Sequence, residues 1–309
     1  MSQTHDQLLD EAEACHDADP DRGAALIRRI DPAALPGARL PGLAFLLNHV
    51  LGEKLGAWAE AHAMFASLLR TAEGEAMPPA LWRQAAAAAG LAGDDAAEAR
   101  CAEALAQATG ATAGQVGDVV AFTQTMFRVP GLPAADAATA VSDVLPRFAV
   151  PGWQDQATPL DAAAAGCANN IASGLIERSA PDLQDPALRR ATEAAAQLAE
   201  RLWQRAGTWV QHERAAYLRA LVANAFSEAA QARGHALRAL AMIDANDTDH
   251  AEDVDRAFLL LEQSRACRAL SQGDEARSAL AAADALAAQF GDPGLDDWYA
   301  RQRAVSTEG

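Results

Sequence analysis

A short phrase recurs along this chain at intervals of several tens of residues. It consists of a turn that contains Gly and often Asp, followed by a helix with Ala where helices pack closely. Copies lie at 56–61, 93–97 and 273–277, with a looser one at 21–25. A repeat of this length is typical of stacked helical hairpins, which bury their apolar faces only against their neighbours. We therefore expect a quasi-one-dimensional array rather than a single core.

The composition favours helices. Hydrophobic residues make up 50% of the chain but aromatic residues only 5%, so Ala and Leu supply most of the apolar surface. Both are strong helix formers, and the alternating Val-, Ile-, Thr- or Tyr-rich runs that mark strands are nearly absent. At 309 residues the chain accommodates two ordinary domains or one elongated array. We expect an all-α fold.

The charge of the chain argues against two classes of partner. Lys and Arg total 25 against 42 Asp and Glu, a formal charge of −17, and Lys54 is the only lysine. A charge of this size repels phosphate backbones and anionic bilayers unless a basic patch overrides it, and no basic run is longer than a pair. We therefore expect neither nucleic acid nor membrane as a partner.

The N-terminal residues are polar, and no stretch reaches the ~20 apolar residues that span a bilayer. Four cysteines are scattered singly, without the short spacings of zinc sites or redox pairs: Cys15, Cys101, Cys167 and Cys267. This pattern predicts a cytoplasmic protein with reduced thiols and no cofactor. The run Cys15-His16-Asp17 suggests metal chemistry, but adjacent residues on a helix point about 100° apart and do not converge on one ion. We expect no metal site.

Pro and Gly divide the chain into helical pairs. Asp-Pro steps mark helix boundaries, because Pro disfavours helix in the preceding residue. The pattern predicts seven hairpins that start near residues 4, 39, 79, 115, 160, 209 and 251, followed by a terminal helix. The stretch 109–160 is the least regular, and a loop at 151–156 separates a predicted N-terminal array, 1–150, from a C-terminal array, 151–309.

These features resemble the tetratricopeptide repeat family, whose motif of about 34 residues forms two antiparallel helices. The closest phrase runs from Gly56 to Phe65, with Trp58 as the aromatic residue and Ala61 as the small packing residue. Two further hairpins match through Ala97, Cys101, Ala104 and Leu105, with Leu81 and Ala85 in the partner helix, and through Ala276, Leu280 and Ala283, with Leu260 and Ser264. The resemblance implies a right-handed α-solenoid of stacked antiparallel hairpins with degenerate repeats. His49 departs from it, since the family has Gly or Ala there, and 109–208 matches only as generic hairpins.

Amide side chains in the first helices of hairpins are the leading candidates for partner binding. They are Asn48, Asn169, Asn170 and Asn224. Asn has poor helix propensity and needs hydrogen-bond partners. The resemblance implies that first helices line a concave groove, where these amides would bind an extended peptide. The alternative is that each Asn satisfies a neighbouring helix terminus or loop.

Arginines of the last two hairpins form a second candidate set. Arg219, Arg265 and Arg268, with Arg214 nearby, would recognise a carboxylate of a peptide, since guanidinium groups bind carboxylates with two hydrogen bonds. The alternative is a surface network with acidic residues, namely Glu213, Glu228, Asp255 and Glu262.

Catalytic motifs are not found in the sequence. It has no Gly-x-Ser-x-Gly elbow, no phosphate loop that ends in Gly-Lys and no His-Glu-x-x-His helix. The sequence therefore predicts no catalytic residues and favours a scaffold or adaptor that binds a protein or peptide. Two alternatives stay open: a ligand-sensing regulatory module, of a kind that Ala-rich arrays form in bacterial regulators, and an all-helical enzyme with a site near 109–160.

Overall fold

A computed structural model of the protein describes residues 3–71 and 77–307. Within these residues every regular element is helical and no strand occurs, which confirms the predicted all-α class. None of the described helices has both the length and the apolar character needed to cross a membrane. The α-helices of the described chain are α1 His5–Cys15, α2 Pro20–Ile27, α3 Leu40–Leu46, α4 Trp58–Thr71, α5 Pro79–Leu91, α6 Asp95–Thr109, α7 Ala113–Arg128, α8 Ala134–Val144, α9 Pro151–Gln154, α10 Asp161–Ile176, α11 Pro186–Ala206, α12 Trp209–Ala225, α13 Ala229–Asn246, α14 Asp253–Ala269, α15 Gly273–Ala287 and α16 Pro293–Thr307.

The Asp-Pro boundaries act as helix caps. The Asp19 side chain accepts a hydrogen bond from the backbone N–H of Arg22 at 3.0 Å, and Pro20 occupies the first helical position of α2. Asp185 caps α11 in the same way. An acidic cap satisfies a backbone N–H that has no partner inside the helix, and Pro has no N–H to leave unpaired there.

Two segments differ from the sequence-based expectation. The first helix of the hairpin predicted to start near residue 39 is α3 followed by a π-helical stretch, Leu47–Lys54. The predicted loop at 151–156 contains the single-turn helix α9, whose Trp153 is buried and donates from Nε1 to Asp118 Oδ2 at 2.9 Å. The buried tryptophan anchors this helical turn. The Pro and Gly residues of the segment, taken alone, indicated only a loop.

The same turn joins the helices of several pairs. Gly56 and Gly93 adopt left-handed backbone with φ of +67° and +81°, as their phrases predict, while Ser227 and Ser271 adopt it with φ of 62° and 61°. Gly273, predicted in a turn, instead begins α15. A backbone N–H after each left-handed residue reaches back to the preceding helix: Ala57 N to Leu51 O (2.7 Å), Asp94 N to Ala89 O (2.9 Å), Glu228 N to Ala223 O (2.7 Å) and Gln272 N to Cys267 O (2.8 Å). This geometry caps the last helical carbonyls.

Neighbouring helices pack as pairs, among them α1 with α2, α5 with α6, α12 with α13 and α14 with α15. The predicted small packing residues Ala61, Ala97 and Ala276 are all buried. Within the α14–α15 pair, the buried Ser264 Oγ donates to the carbonyl of Ala276 at 2.8 Å. The repeated phrase therefore marks real helix contacts.

The chain divides into two compact units. The first contains the residues up to Pro133 together with Ala140–Cys167, and the second contains Ala134–Thr139 and the residues from Ala168 onward. In the first unit, Phe148 packs against Phe122 and Trp153, each with ring centroids 4.8 Å apart. The second unit has apolar clusters between α12, α13 and α14 and between α14, α15 and α16.

Replacing Gly93 by Ala is expected to lower the free energy of unfolding by about 1–2 kcal/mol, because an L-residue is strained at positive φ. An added Cβ would meet no atom within 4 Å, so the cost is conformational rather than steric. Gly117, inside α7 and equally open, is the control, where Ala should add roughly 0.5–1 kcal/mol. Urea unfolding measures both, and shifts of the same sign would contradict the expectation.

Candidate functional site

The second unit contains a polar groove between α11 and α13, and residues of α12 form its floor. It comprises two pockets of about 220 Å³ and about 190 Å³. Their lining residues recur at three- and four-residue steps, so one face of each flanking helix is used. We call this surface the α11–α13 groove; it is lined by Glu193, Gln197, Glu200 and Gln204 of α11, His212, Ala215, Arg219, Val222 and Ala223 of α12, Glu228 at the turn, and Gln231, His235, Arg238 and Met242 of α13.

Glu200 holds two guanidinium groups in the groove. Arg219 Nε lies 3.5 Å from Glu200 Oε2, and Arg238 contacts the other carboxylate oxygen. Arg219 also donates from Nη1 to the backbone carbonyl of Glu193 at 3.4 Å, and its side chain is only 14% exposed. These contacts fix Arg219 of α12 at the floor of the groove, since a carbonyl and a carboxylate of α11 both restrain it.

Arg189 pairs with two glutamates, Glu193 and Glu228, at the other end of the groove. Its Nε donates to Glu193 Oε1 at 2.7 Å, its Nη2 contacts Glu228, and its guanidinium carbon lies 5.5 Å from the centre of the Phe226 ring. Together with the pairs at Glu200, three arginines balance three glutamates around the groove. The groove is therefore close to electrically neutral on a chain whose formal charge is −17.

His235 supplies a neutral imidazole. Burial lowers its pKa to about 4, and the positive charges of Arg219 and Arg238 act in the same direction. Its Nδ1 is buried and has no hydrogen-bond partner among the described residues. At neutral pH the uncharged imidazole therefore lines the groove with one buried ring nitrogen unpaired within the described part of the chain.

Two of the predicted partner-binding asparagines lie in the interior. Asn48 is 0% exposed and donates from Nδ2 to Gln84 O at 3.0 Å and to Gln84 Oε1 at 2.6 Å. Asn224 is 6% exposed and donates to Glu262 O at 3.0 Å and to Glu262 Oε2 at 2.6 Å. This corrects the prediction that both line a peptide groove: each amide instead joins its helix to the corresponding position of another helix.

The other predicted residues are dispersed. Asn169 is half-buried and Asn170 exposed on α10, while Arg265 and Arg268 are half-buried on α14 and do not line the α11–α13 groove. Arg219 is the predicted residue that does line it. Their roles in partner binding stay predictions.

Arg214 follows the alternative interpretation. Its Nε donates to Asp255 Oδ2 at 2.7 Å and its Nη2 to Glu252 Oε2 at 3.0 Å, which is the acidic surface network expected as the alternative to a ligand. It lies on α12 outside the lining of the groove.

In the irregular segment 109–160, Asp118 accepts from Trp153 and lies 3.7 Å from Arg147. The contact with Trp153 fastens the α9 turn to α7, and the contact with Arg147 fastens the preceding 3-10 turn, Leu145–Ala149, to the same helix. The two pockets of the groove lie outside this segment, and the enzyme alternative stays untested.

Sequence reasoning missed most of the groove. Glu193, Gln197, Glu200 and Gln204 recur along α11 at steps of three and four, which is a readable stripe of polar residues. The same step links Gln231, His235 and Arg238 on α13. A stripe of this kind is typical of any solvated helix face, so only the packing of three helices turns it into a groove.

Glu213 is a buried acid on α12. It is 0% exposed, and neither carboxylate oxygen has a hydrogen-bond partner among the described residues. Burial raises its pKa to about 8, and the negative charge of Asp255 adds to the shift while Arg214 opposes it. The acid is therefore mostly protonated in the folded protein at neutral pH.

Comparison with known proteins leaves the family unassigned. No protein-family model matches the chain, and no curated protein matches it. A solved structure with some similarity is that of BtubC (BKLC) from P. vanneervenii, at 15% sequence identity and a TM-score of 0.47 over 93% of this chain and 90% of that chain. A likeness at this level carries no argument about function.

Replacing Asn224 by Ala is expected to lower the free energy of unfolding by about 1–3 kcal/mol, because Glu262 loses the donor to two buried oxygens. Asn48→Ala should cost a similar amount through Gln84. The exposed Gln107 of α6 is the control, where Ala should change stability by less than about 0.5 kcal/mol. Chemical denaturation tests all three, and stable asparagine variants would show that these hydrogen bonds carry little energy.

Glu213→Gln is expected to change how stability depends on pH. A folded pKa of about 8, above the ordinary value of 4.5, means that the folded wild type binds the extra proton, so its stability falls as pH rises from about 4.5 to 8 and is then level. The fall is on the order of a few kcal/mol. The variant should match the wild type near pH 4.5 and exceed it above pH 8. Urea midpoints across this range measure the effect, and parallel profiles would contradict it.

Proposed function

We propose that the protein is a non-catalytic scaffold or adaptor, built as a degenerate tetratricopeptide-like solenoid, that binds a protein or peptide through the α11–α13 groove of its second unit. The observation that carries this proposal is the groove itself. Amide, guanidinium and imidazole groups line its two pockets, and the carboxylates of the lining are paired with arginines. Such a surface suits a polar chain rather than an ion.

The size of the pockets favours a peptide over a cofactor. Pockets for drug-sized molecules measure ~300–1,000 Å³, whereas the larger pocket here is about 220 Å³. A space of that size holds one side chain. Because the carboxylates of the lining are already paired with arginines, the pocket selects a neutral polar side chain: an added carboxylate or ammonium would leave one charge without a counter-charge.

A peptide would use groups that the groove leaves accessible. The amides of Gln197 and Gln231 each provide a donor and an acceptor, which match the alternating N–H and C=O groups of an extended backbone. His235 also lines the groove, with its Nδ1 buried behind the surface and unpartnered by any residue that the structure describes. We infer that Gln197, Gln231 and His235 contact the backbone or an amide side chain of the bound peptide. Arg219 limits the depth of the pocket.

The turns support the solenoid part of the proposal. In three pairs of successive helices, α5–α6, α12–α13 and α14–α15, a left-handed residue with the same backward hydrogen bond joins the two helices. Small residues pack at the contacts within these pairs. This recurrence is the structural counterpart of the sequence phrase. The four free thiols, together with the acidic composition, favour the cytoplasm as the location.

A peptide-display selection tests the binding role. We expect the full chain to enrich related sequences with a polar residue at one position, and the double variant Arg219→Ala with His235→Ala to lose at least ~10-fold in affinity for them. Arg214→Ala is the matched control, since this arginine is also ion-paired on α12 but lies outside the groove. Melting curves establish that the variants are folded.

Failure to enrich any peptide, or equal affinity of the groove variant and the Arg214 control, would remove the groove as the binding surface. Binding that the Asn170→Ala and Arg265→Ala variants weaken instead would place the partner on the residues first predicted from sequence.

A further inference from the structure

The first unit brings two imidazoles to one carboxylate. His16 Nε2 lies 3.4 Å from Asp17 Oδ2, and His49 Nε2 lies 3.3 Å from Asp17 Oδ1. The candidate ligand atoms of these three residues all lie within 4.8 Å of one another. The scaffold function proposed above makes no use of this cluster, which is in the other unit.

Each imidazole is oriented through its other nitrogen. His16 Nδ1 lies 2.6 Å from the backbone carbonyl of Glu13, and His49 Nδ1 lies 3.2 Å from Glu53 Oε2. A carbonyl and a carboxylate only accept hydrogen bonds, so each Nδ1 carries a proton. Nε2 is then the nitrogen that faces Asp17, and a metal would take the place of the proton that Nε2 shares with that carboxylate. Histidines that bind metals are held in this way by an outer carbonyl or carboxylate.

The backbone that carries His49 is unusual. His49 lies in the π-helical stretch Leu47–Lys54, and π-helix accounts for well under ~1% of residues in ordinary proteins, often at functional sites. The Phe45 ring stacks on its imidazole, with centroids 5.1 Å apart and planes inclined by 15°. His49 is also the position at which the chain departs from the tetratricopeptide pattern. A rigid imidazole on rare backbone favours a specific role over a solvated surface.

We propose that His16, Asp17 and His49 bind a divalent transition-metal ion, with zinc as the best-fitting ion and a fourth position open to solvent. Two ligands about 2.0–2.1 Å from a tetrahedral zinc lie about 3.3 Å apart. Each imidazole Nε2 lies at about that distance from one oxygen of Asp17, His49 at 3.3 Å from Oδ1 and His16 at 3.4 Å from Oδ2. Magnesium and calcium are excluded as preferred ions because they take mostly oxygen ligands. Two nitrogens and one carboxylate suit zinc and its neighbours in the first transition row.

The end of α1 explains why sequence reasoning predicted no metal. That prediction assumed that His16 and Asp17 lie on one helix and diverge. The helix ends at Cys15, His16 is its cap and Asp17 lies in the following turn, so both side chains face His49.

Lys54 gives the proposal a sensitive test. Its Nζ lies 3.2 Å from Asp17 Oδ1, so its ammonium group competes for the carboxylate that the metal would use. Replacing Lys54 by Met should strengthen zinc binding by about fivefold, because the nearby positive charge is removed in a largely solvated setting. This gain is not expected if zinc binds anywhere else on the chain.

Isothermal titration of the full chain with zinc chloride measures the site. Cys15→Ser is used as the background, so that the neighbouring thiol contributes no ligand. We expect one zinc ion per chain with Kd on the order of micromolar or tighter, and a loss of at least ~100-fold in His16→Gln and in His49→Gln. Cobalt(II) should give the strong visible absorption of a four-coordinate site, and both histidine variants should lose it.

His62→Gln is the matched control. His62 Nε2 lies 3.2 Å from Asp94 Oδ2 in the same unit, a similar histidine–aspartate contact outside the cluster. This variant should bind zinc as the background does, and zinc-free melting curves show whether each variant is folded. Folded variants of His16 and His49 that keep full zinc affinity, or a background protein that binds no zinc at millimolar concentration, would overturn the proposal and leave the cluster as an ion-pair network around Asp17.

Discussion

Close approach of helices through alanine is the constraint on which the rest of this structure depends. The contacts between neighbouring helices are made by fully buried small residues such as Ala85–Ala89 of α5 and Ala61 of α4. Each alanine buries little area, so a helix that packs mainly through alanine must contact several neighbours. Helices so close together also exclude water. A polar side chain at such a contact therefore needs a protein partner.

The buried asparagines follow from that constraint. Asn48 and Asn224 each donate to a backbone carbonyl and to the side chain of the same residue on another helix, in different units and with matching distances. Because the arrangement occurs twice, we infer that it has the same role in both units. The amide fixes its own helix against the helix that carries its hydrogen-bond partner, α5 for Asn48 and α14 for Asn224. These specific polar pairs fix how one helix is aligned along another, which contacts between alanines alone do not.

Sequence alone was sufficient for the helices, because strong periodicity and Asp-Pro caps are local signals. It also located Gly56 and Gly93 in their turns, since glycine adopts left-handed backbone without strain. It missed Ser227 and Ser271, which take that conformation without glycine because the packed helices on both sides dictate it. The functional residues were harder still. Arg219 was among the candidates, but its groove depends on faces of three helices, and the inward position of Asn48 depends on a contact with residue 84 that no local pattern encodes.

The two units use the same arrangement with different chemistry. In the first, Asn48 meets the neutral amide of Gln84; in the second, Asn224 meets the acid Glu262, whose pKa burial raises even though the amide hydrogen bond opposes the shift. Glu213 lies on the same helix as Asn224, and Tyr217 between them also has its pKa raised by burial and by these acids. Negative charge formed at any one of these groups raises the cost of forming it at the others, so their protons are coupled. Amides do not titrate, whereas a buried acid such as Glu213 makes the stability of its unit depend on pH. That acid lies on α12, the helix that also provides the floor of the α11–α13 groove.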